Sequence, residues 1–108
     1  MSQLETGLEL IRSGEYFAAH EQLEDAWLAA APAERDFYQG LVHVTVAWYQ
    51  AGRGNLVGCE RQLEKAARRL AAYAPEHLGV DVASILEQVD TAAALVVSGS
   101  LELPPPRL

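Results

Sequence analysis

The fold is decided by one stretch of the sequence, which reads Asn55-Leu56-Val57-Gly58-Cys59-Glu60-Arg61-Gln62-Leu63-Glu64-Lys65-Ala66-Ala67-Arg68-Arg69-Leu70. Its apolar residues recur every three or four positions, the spacing that places side chains on one face of an α-helix. Its charged residues occupy the outer face, where Glu64 precedes Arg68 in the favourable order for a helical ion pair. Asn55 is a typical N-cap residue. The stretch therefore predicts an amphipathic helix in an all-α fold.

Similar signals divide the remaining sequence into four further helices, which gives about five in all. Ser2 and Glu5 form a capping-box pattern ahead of a first helix over about 3–13. Pro32 ends a second helix over about 16–31 and begins a third, which runs to about residue 51. Asp81 is the expected cap of the last helix, which Gly99 closes. We find no run that alternates as a β-strand does.

A weak internal repeat predicts how these helices are arranged. Residues 22–26, Gln-Leu-Glu-Asp-Ala, match residues 62–66, Gln-Leu-Glu-Lys-Ala, and Gly14 aligns with Gly54 in the same register. Each segment follows a helix and a glycine turn, so we expect two stacked antiparallel helix hairpins in a tetratricopeptide-like bundle, with the C-terminal helix as a lid. The single helical domain should cover 1–99. The Pro-rich tail, 100–108, should be extended, either as a strap across the domain or as a disordered end.

Composition narrows the classes of protein and partner. The chain of 108 residues suits one domain. Its net charge is -7, with 8 Lys and Arg against 15 Asp and Glu, which argues against a nucleic-acid partner because such proteins contact phosphates with basic residues. A lone cysteine, Cys59, excludes an internal disulfide and a thiolate zinc site. Neither a signal peptide nor a membrane-length apolar run is present, so we expect a cytoplasmic protein with no membrane partner.

Two polar residues of the second helix do not fit a plain core. His20 and Glu24 fall inside its apolar arc, one helical turn apart, and unpaired buried polar groups are costly. On the third helix, Gln39 and His43 lie on one line with small residues between them. If that line faces the second helix, the four side chains meet in one polar cluster. If it does not, the line is a solvent face.

Three interpretations of this cluster stay open. In the first it is a satisfied structural network, with Glu24 accepting from a histidine, from Arg53 or from backbone donors. In the second it forms a pocket for a small polar ligand or a peptide. In the third it is a divalent metal site, in which His20 and Glu24 chelate one ion at the spacing of a His-Glu-x-x-His motif, with His43 as a further ligand. Glu21 would then be the candidate general base. We expect no cofactor, and a divalent metal is the alternative.

The residues 14–27, Gly-Glu-Tyr-Phe-Ala-Ala-His-Glu-Gln-Leu-Glu-Asp-Ala-Trp, resemble the signature of a small prokaryotic and plastid family catalogued as domain of unknown function 309. Residues 35–42, 53–58 and 79–82 also fit that family, so the resemblance covers roughly the whole domain. It implies a bundle of about five helices, and it implies no activity because none is assigned to the family.

The resemblance also implies a set of site residues. The family pattern picks out the following positions: Tyr16, His20, Glu21, Glu24, Trp27, Gln39, Gly40, Arg53, Gly54 and Asn55. Two departures matter. His43 stands where the family usually has glutamine, and Tyr49-Gln50 stands where a histidine is common. The set carried over is therefore His20, Glu21 and Glu24, with Gln39 and Arg53 as partners.

We keep three hypotheses of function. The first is a non-enzymatic interaction or small-ligand-binding module with a pocket between helices two and three. Its predicted ligand-binding residues are Tyr16, His20, Glu21, Glu24, Trp27, Gln39 and Arg53, and its partner is a protein, a small molecule or a second copy in a homodimer. The rival is a metal-dependent hydrolase with His20 and Glu24 as metal ligands and Glu21 as general base. The third is a purely structural partner subunit.

Overall fold

The computed structural model describes residues 2–108 and contains five α-helices. These are α1 (Gln3–Arg12), α2 (Tyr16–Ala29), α3 (Pro32–Gly52), α4 (Leu56–Leu70) and α5 (Val82–Val97). A short 3-10 turn, Ala71–Tyr73, extends α4. The prediction of an all-α bundle with about five helices is confirmed. Within residues 2–108, none of the helices combines the length and the apolar character needed to cross a membrane.

Side-chain caps determine where three of the helices begin. Ser2, Asn55 and Asp81 each accept a hydrogen bond from the backbone N–H three residues ahead, at 2.9 to 3.1 Å. These bonds satisfy N–H groups that have no partner inside the helix. Pro32 occupies the first position of α3, where its missing N–H costs nothing. The predicted helix starts follow from this local chemistry.

The helices stack in chain order around α3. Each helix packs against the next one in sequence, from α1 on α2 to α4 on α5. The centre of the stack is apolar, with Phe37, Leu41 and Val44 of α3 all but inaccessible. Cys59 is fully buried and free, and burial raises the pKa of its thiol.

The weak sequence repeat corresponds to a repeated local structure. Leu23 of α2 and Leu63 of α4 are both buried in the core. The two glycines that precede these helices have nearly the same left-handed backbone, with φ of 76° at Gly14 and 75° at Gly54. Only glycine adopts that conformation without steric cost. The turn between a helix and its partner is therefore built twice, 40 residues apart.

A small antiparallel hairpin precedes α5 and corrects the expectation that the chain has no strands. Its strands, β1 (Glu76–His77) and β2 (Val80–Asp81), are joined by Leu78 and Gly79. Both turn residues have positive φ, 50° and 79°, the combination of a tight two-residue hairpin turn. Strands of two residues are too short to show any alternation of polar and apolar residues, so the sequence pattern did not reveal them.

Aromatic and polar contacts fix this hairpin to the start of α3. The imidazole of His77 packs against the ring of Phe37 at 4.7 Å between centroids, and its Nε2 contacts the carboxylate of Glu34. Nearby, the hydroxyl of Tyr73 donates to the carbonyl of Ala33 at 2.7 Å. These contacts hold the long connection between α4 and α5 against the bundle.

The tail, residues 100–108, lies across the bundle as a strap. The indole N–H of Trp48 donates to the carbonyl of Pro104 at 3.0 Å. The side-chain amide of Gln88 both donates to and accepts from the backbone of Arg107, at 2.7 and 2.6 Å. Arg12 of α1 reaches the carbonyl of Leu108 at 3.0 Å. The tail thereby joins α1, α3 and α5.

Candidate functional site

A pocket of about 190 Å³ lies between the first turns of α2 and the last turns of α3. The α2 residues are one helical turn or less apart, and so are the α3 residues, so each helix presents one short face to the pocket. The lining residues are Tyr16, Phe17 and His20 of α2 with Val46, Tyr49 and Gln50 of α3. The pocket thus lies between the two helices at which the sequence analysis placed its hypothetical ligand site.

The pocket walls are mainly aromatic. The ring of Phe17 meets the imidazole of His20 edge-on at 5.2 Å and the ring of Tyr49 at 5.8 Å. Both distances lie in the range of favourable aromatic pairs. Phe17 nonetheless stays 54% exposed. An aromatic side chain that is held by two ring neighbours but not covered by the fold forms a preorganised apolar surface.

His20 lies at the pocket wall, and each of its ring nitrogens faces a hydrogen-bond acceptor of another group. Its Nδ1 is 3.0 Å from the carbonyl of Phe17, which can only accept, so Nδ1 carries the hydrogen. Its Nε2 is 3.4 Å from Oε2 of Glu24, and the Glu24 side chain is 46% exposed. The polar pair predicted inside the apolar arc is therefore at the rim, where water reaches the carboxylate.

The turn between α3 and α4 orients the pocket side chains of α3. Arg53 donates to the hydroxyl of Tyr49 at 3.1 Å, and its guanidinium lies 5.6 Å from the centre of that ring. Asn55 donates from its side chain to Oε1 of Gln50 at 3.1 Å while it caps α4. Gly54 supplies the left-handed residue between them. Arg53 and Asn55, which the resemblance implied, therefore contact pocket residues, and Asn55 also caps the next helix.

Tyr16 contributes a neutral phenol to the same pocket. Burial raises the pKa of its hydroxyl above the ordinary value of 10.0. The group therefore stays protonated at physiological pH and can donate or accept one hydrogen bond.

The line of Gln39 and His43 faces α4 rather than α2, which corrects the predicted four-residue cluster. His43 Nδ1 lies 2.8 Å from Oε1 of Gln62 on α4. Gly40, on the same line, is the reason that α4 comes so close, because a Cβ added there would lie 2.5 Å from Cγ of Leu70. The small residue does admit a neighbouring backbone, as expected, but the neighbour is α4.

Burial governs the ionisation of His43. Desolvation lowers the pKa of its imidazole below the ordinary value of 6.5, and the positive charges of Lys65, Arg69 and Arg68 on α4 lower it further, against the opposing effect of the bond to Gln62. Its Nε2 is buried without a hydrogen-bond partner. The ring is therefore neutral, and protonation would place a charge in the α3–α4 contact.

The three candidate metal ligands do not meet. Within residues 2–108 no group of three or more His, Cys, Asp or Glu side chains has the geometry to hold an ion. His20 and Glu24 lie together at the α2–α3 pocket, whereas His43 bonds to Gln62. Glu21, the candidate general base, is exposed on α2. A site built from His20, Glu24 and His43 is therefore not assembled in this structure.

The structure thus brings together part of the predicted set and adds residues to it. Tyr16 and His20 line the pocket, Glu24 contacts His20, and Arg53 holds Tyr49. Five of the seven predicted ligand-binding residues do not line the pocket: Glu21, Glu24, Trp27, Gln39 and Arg53. The lining residues that sequence reasoning missed are Phe17, Val46, Tyr49 and Gln50. Tyr49 and Arg53 are four residues apart on a helix, a spacing that allows contact and that would have placed the guanidinium on this ring.

A larger recess lies elsewhere and contains none of the predicted residues. It encloses about 740 Å³ between α1 and the hairpin, with Tyr38 and Leu78 among its walls. Its walls also carry charged side chains of α1, including Glu9 and Arg12. By size alone this recess would be the stronger candidate for a binding site. It is more open than the α2–α3 pocket, however, and has no cluster of aromatic rings. We therefore place the candidate site at the α2–α3 pocket.

Comparison with known proteins finds a family whose matched region includes the pocket. The family described as Domain of unknown function (DUF309) matches residues 4–62, a range that contains all six pocket-lining residues and ends within α4. The Uncharacterized protein YpuF of Bacillus subtilis (strain 168) is 32% identical over 97 residues, which covers 81% of this chain and 56% of that protein. The chain thus spans little more than half the length of this relative. No solved structure matches the chain.

Proposed function

Since the chain belongs to the DUF309 family, and the matched region holds the whole aromatic pocket, we propose that it is a non-enzymatic binding module. The pocket between α2 and α3 would hold an apolar or aromatic side chain of a partner protein. The observation that carries this proposal is Phe17, a large ring held by two ring neighbours and left 54% exposed. Aromatic residues of this kind are enriched where proteins meet.

The size of the pocket favours one inserted side chain over a whole cofactor. Sites for small molecules usually enclose about 300–1,000 Å³. The α2–α3 pocket encloses about 190 Å³, which suits a single ring or branched aliphatic group. Anchors of this type, buried in one well-formed pocket, supply much of the affinity of protein interfaces.

The fixed geometry of the walls supports the same function. Arg53 holds Tyr49 through a hydrogen bond and a contact with its ring, and Asn55 holds Gln50. Side chains that are already ordered lose less entropy when a ligand binds. At the rim, the phenol of Tyr16 and the imidazole of His20 offer polar groups that can fix the orientation of the inserted group.

The metal-dependent hydrolase has less support. It requires a third ligand near His20 and Glu24, and the expected one, His43, is engaged by Gln62 on α4. Its candidate base, Glu21, is exposed and is not among the residues that line the pocket. A binding role needs neither a third metal ligand nor a general base.

The test is an NMR titration of the full chain with N-acetyl-tryptophanamide, N-acetyl-leucinamide and, as a polar probe, N-acetyl-lysinamide. We expect the first two to shift backbone amides at the start of α2 and the end of α3. Phe17→Asp should abolish these shifts. Leu28→Asp is the matched control, because Leu28 is also an exposed apolar residue of α2, 67% exposed, and does not line the pocket. Shifts confined to the recess beside α1, or equal responses of the two variants, would refute the proposal.

A further inference from the structure

A groove of about 380 Å³ lies between α4 and α5. Its apolar lining residues are Leu63 and Ala67 of α4 with Leu86, Val89, Ala93 and Val97 of α5. Val97 is 79% exposed, more than any other large apolar side chain in residues 2–108. The α5 sequence is mainly apolar, and the polar residues Glu87, Gln88 and Thr91 lie on one side of the helix. The fold covers only part of it.

This groove occupies the same place in the repeat as the aromatic pocket. The turns at Gly14 and Gly54 are 40 residues apart. The same offset relates residues that line the aromatic pocket to residues that line the α4–α5 groove. The related pairs are His20 and Glu60, Val46 and Leu86, Tyr49 and Val89, and Gln50 and Asp90. Helix α5 thus lies on α4 as α3 lies on α2. Stacked repeats present their binding surfaces at equivalent positions, so the groove is a regular feature of this architecture.

The shape of the groove fits an α-helix. The α5 wall runs from Leu86 to Val97 at the spacing of one helical face and is about 16 Å long, or three turns. Ala67 and Ala93 stand on opposite walls of the groove. Small side chains at a helix contact allow the axes to come closer together. An added helix would therefore bury its apolar face along the length of the groove.

The charge of the groove specifies the polar edge of that helix. The charged lining residues are Glu60, Glu64 and Asp90, all acidic. Glu64 meets Arg68 at 3.6 Å, whereas Glu60 and Asp90 form no ion pair within the part of the chain that the structure describes. Lysine and arginine side chains beside the apolar face of a bound helix would complement these carboxylates.

The C-terminal strap leaves the groove open. The strap bonds to Gln88 on α5 and to Trp48 on α3, and it contributes no residue to the groove lining. We propose that the α4–α5 groove docks an amphipathic helix of a partner protein, about three turns long, with an apolar face flanked by lysine or arginine. This is the helix-in-groove mode of recognition. The groove is a different surface from the aromatic pocket, so either proposal can fail without the other.

The test uses two fluorescein-labelled helical peptides of 15 residues (about four turns) and fluorescence anisotropy with the full chain. Both carry leucine along one face; the first has lysine at the flanking positions and the second has glutamate. We expect the leucine–lysine peptide to bind at least about ten-fold more tightly than the leucine–glutamate peptide. Val97→Asp should weaken binding of the leucine–lysine peptide at least about ten-fold. Val57→Asp, at an exposed α4 valine outside the groove, should leave it unchanged.

The direction of the Val97→Asp effect separates docking from unspecific attraction. The substitution makes an acidic protein more acidic, so unspecific binding of a cationic peptide would strengthen. Asp90→Lys, at an exposed position, should weaken binding of the leucine–lysine peptide and strengthen binding of the leucine–glutamate peptide. The proposal is overturned if Val97→Asp binds as tightly as the parent or if neither peptide binds. It is equally overturned if sedimentation equilibrium shows a parent dimer that Val97→Asp dissociates, because the groove would then hold a second copy.

Discussion

The imidazole of His43 is bonded through Nδ1 to Oε1 of Gln62 at 2.8 Å, while its Nε2 is buried with no partner. This bond joins the central helix α3 to α4 at a position where the family resemblance implies a glutamine. Burial in this setting favours the neutral ring over the charged one. The consequence is a dependence of stability on pH.

The first prediction concerns that pH dependence. Burial lowers the pKa of His43 in the folded chain below its unfolded value of about 6.5. The unfolded chain therefore binds more protons below about pH 6.5, and stability falls as the pH decreases through that value. Above it, the contribution of His43 is complete. His43→Gln should flatten this part of the profile of unfolding free energy against pH, measured by urea denaturation between about pH 5 and 8.

An identical pH profile for the parent and His43→Gln would contradict this prediction. The titration of the His43 ring itself, followed by NMR, supplies an independent check. Its midpoint should lie below that of an unfolded histidine.

The second prediction concerns Glu24. Its side chain is 46% exposed and its Oε2 lies 3.4 Å from Nε2 of His20, so the pair resembles an exposed ion pair rather than a buried one. Glu24→Ala should therefore reduce the unfolding free energy by less than about 1 kcal/mol. Glu64→Ala, which removes the partner of Arg68 in an exposed pair of the same spacing, is the matched control. A loss of about 3–5 kcal/mol, typical of a broken buried pair, would show that Glu24 is needed for folding.

The third prediction compares two glycines of α3. A Cβ at Gly40 would lie 2.5 Å from Cγ of Leu70, so Gly40→Ala must push α4 away or distort its core. We expect a loss of about 1–3 kcal/mol, the usual cost of overpacking. Gly52→Ala meets nothing within 4 Å, and its effect should be neutral or stabilising by up to about 1 kcal/mol. Equal losses at the two positions, measured by chemical denaturation, would rule out the close approach of α4 at Gly40.

The fourth prediction concerns the strap. Trp48 is 6% exposed and its indole N–H is bonded to the carbonyl of Pro104. Trp48→Phe removes the donor of this hydrogen bond, at a cost of about 0.5–1.5 kcal/mol, the net contribution of a typical hydrogen bond. Amides of the tail should also exchange hydrogen faster in this variant. Trp27→Phe, at a half-buried tryptophan of α2, should leave tail exchange unchanged, and an effect as large there would argue against a specific link to the tail.

The helices could be predicted from the sequence because their signals are local. Ser2, Asn55 and Asp81 cap helices through bonds that span three residues, and Pro32 fixes the start of α3 by its own ring. The hairpin at 76–81 could not be predicted because each strand has two residues and the turn begins with Leu78, which rarely adopts positive φ.

The site was only partly predictable, because the choice of neighbour is a tertiary event. Helical spacing placed His43 on a line of small residues, but the sequence did not specify whether α2 or α4 would cover that line. Similarly, hydropathy alone assigns Phe17 and Tyr49 to the core, whereas their exposure depends on how α2 packs against α3. The polar outlier His20 was the visible signal of the pocket, whereas its aromatic walls were not.

The strap affects how cooperatively the domain unfolds. In a linear stack of repeats, each unit contacts only its neighbours, so outer helices can fray while the rest persists. Here the bond from Arg12 to Leu108 connects residues 96 apart and ties the outermost helix α1 to the strap, which also bonds to Gln88 of α5. Because one segment contacts both ends of the stack, we expect the loosening of α1 and that of α5 to be coupled. Unfolding should therefore be a single cooperative event, with coincident transitions in far-ultraviolet and tryptophan signals.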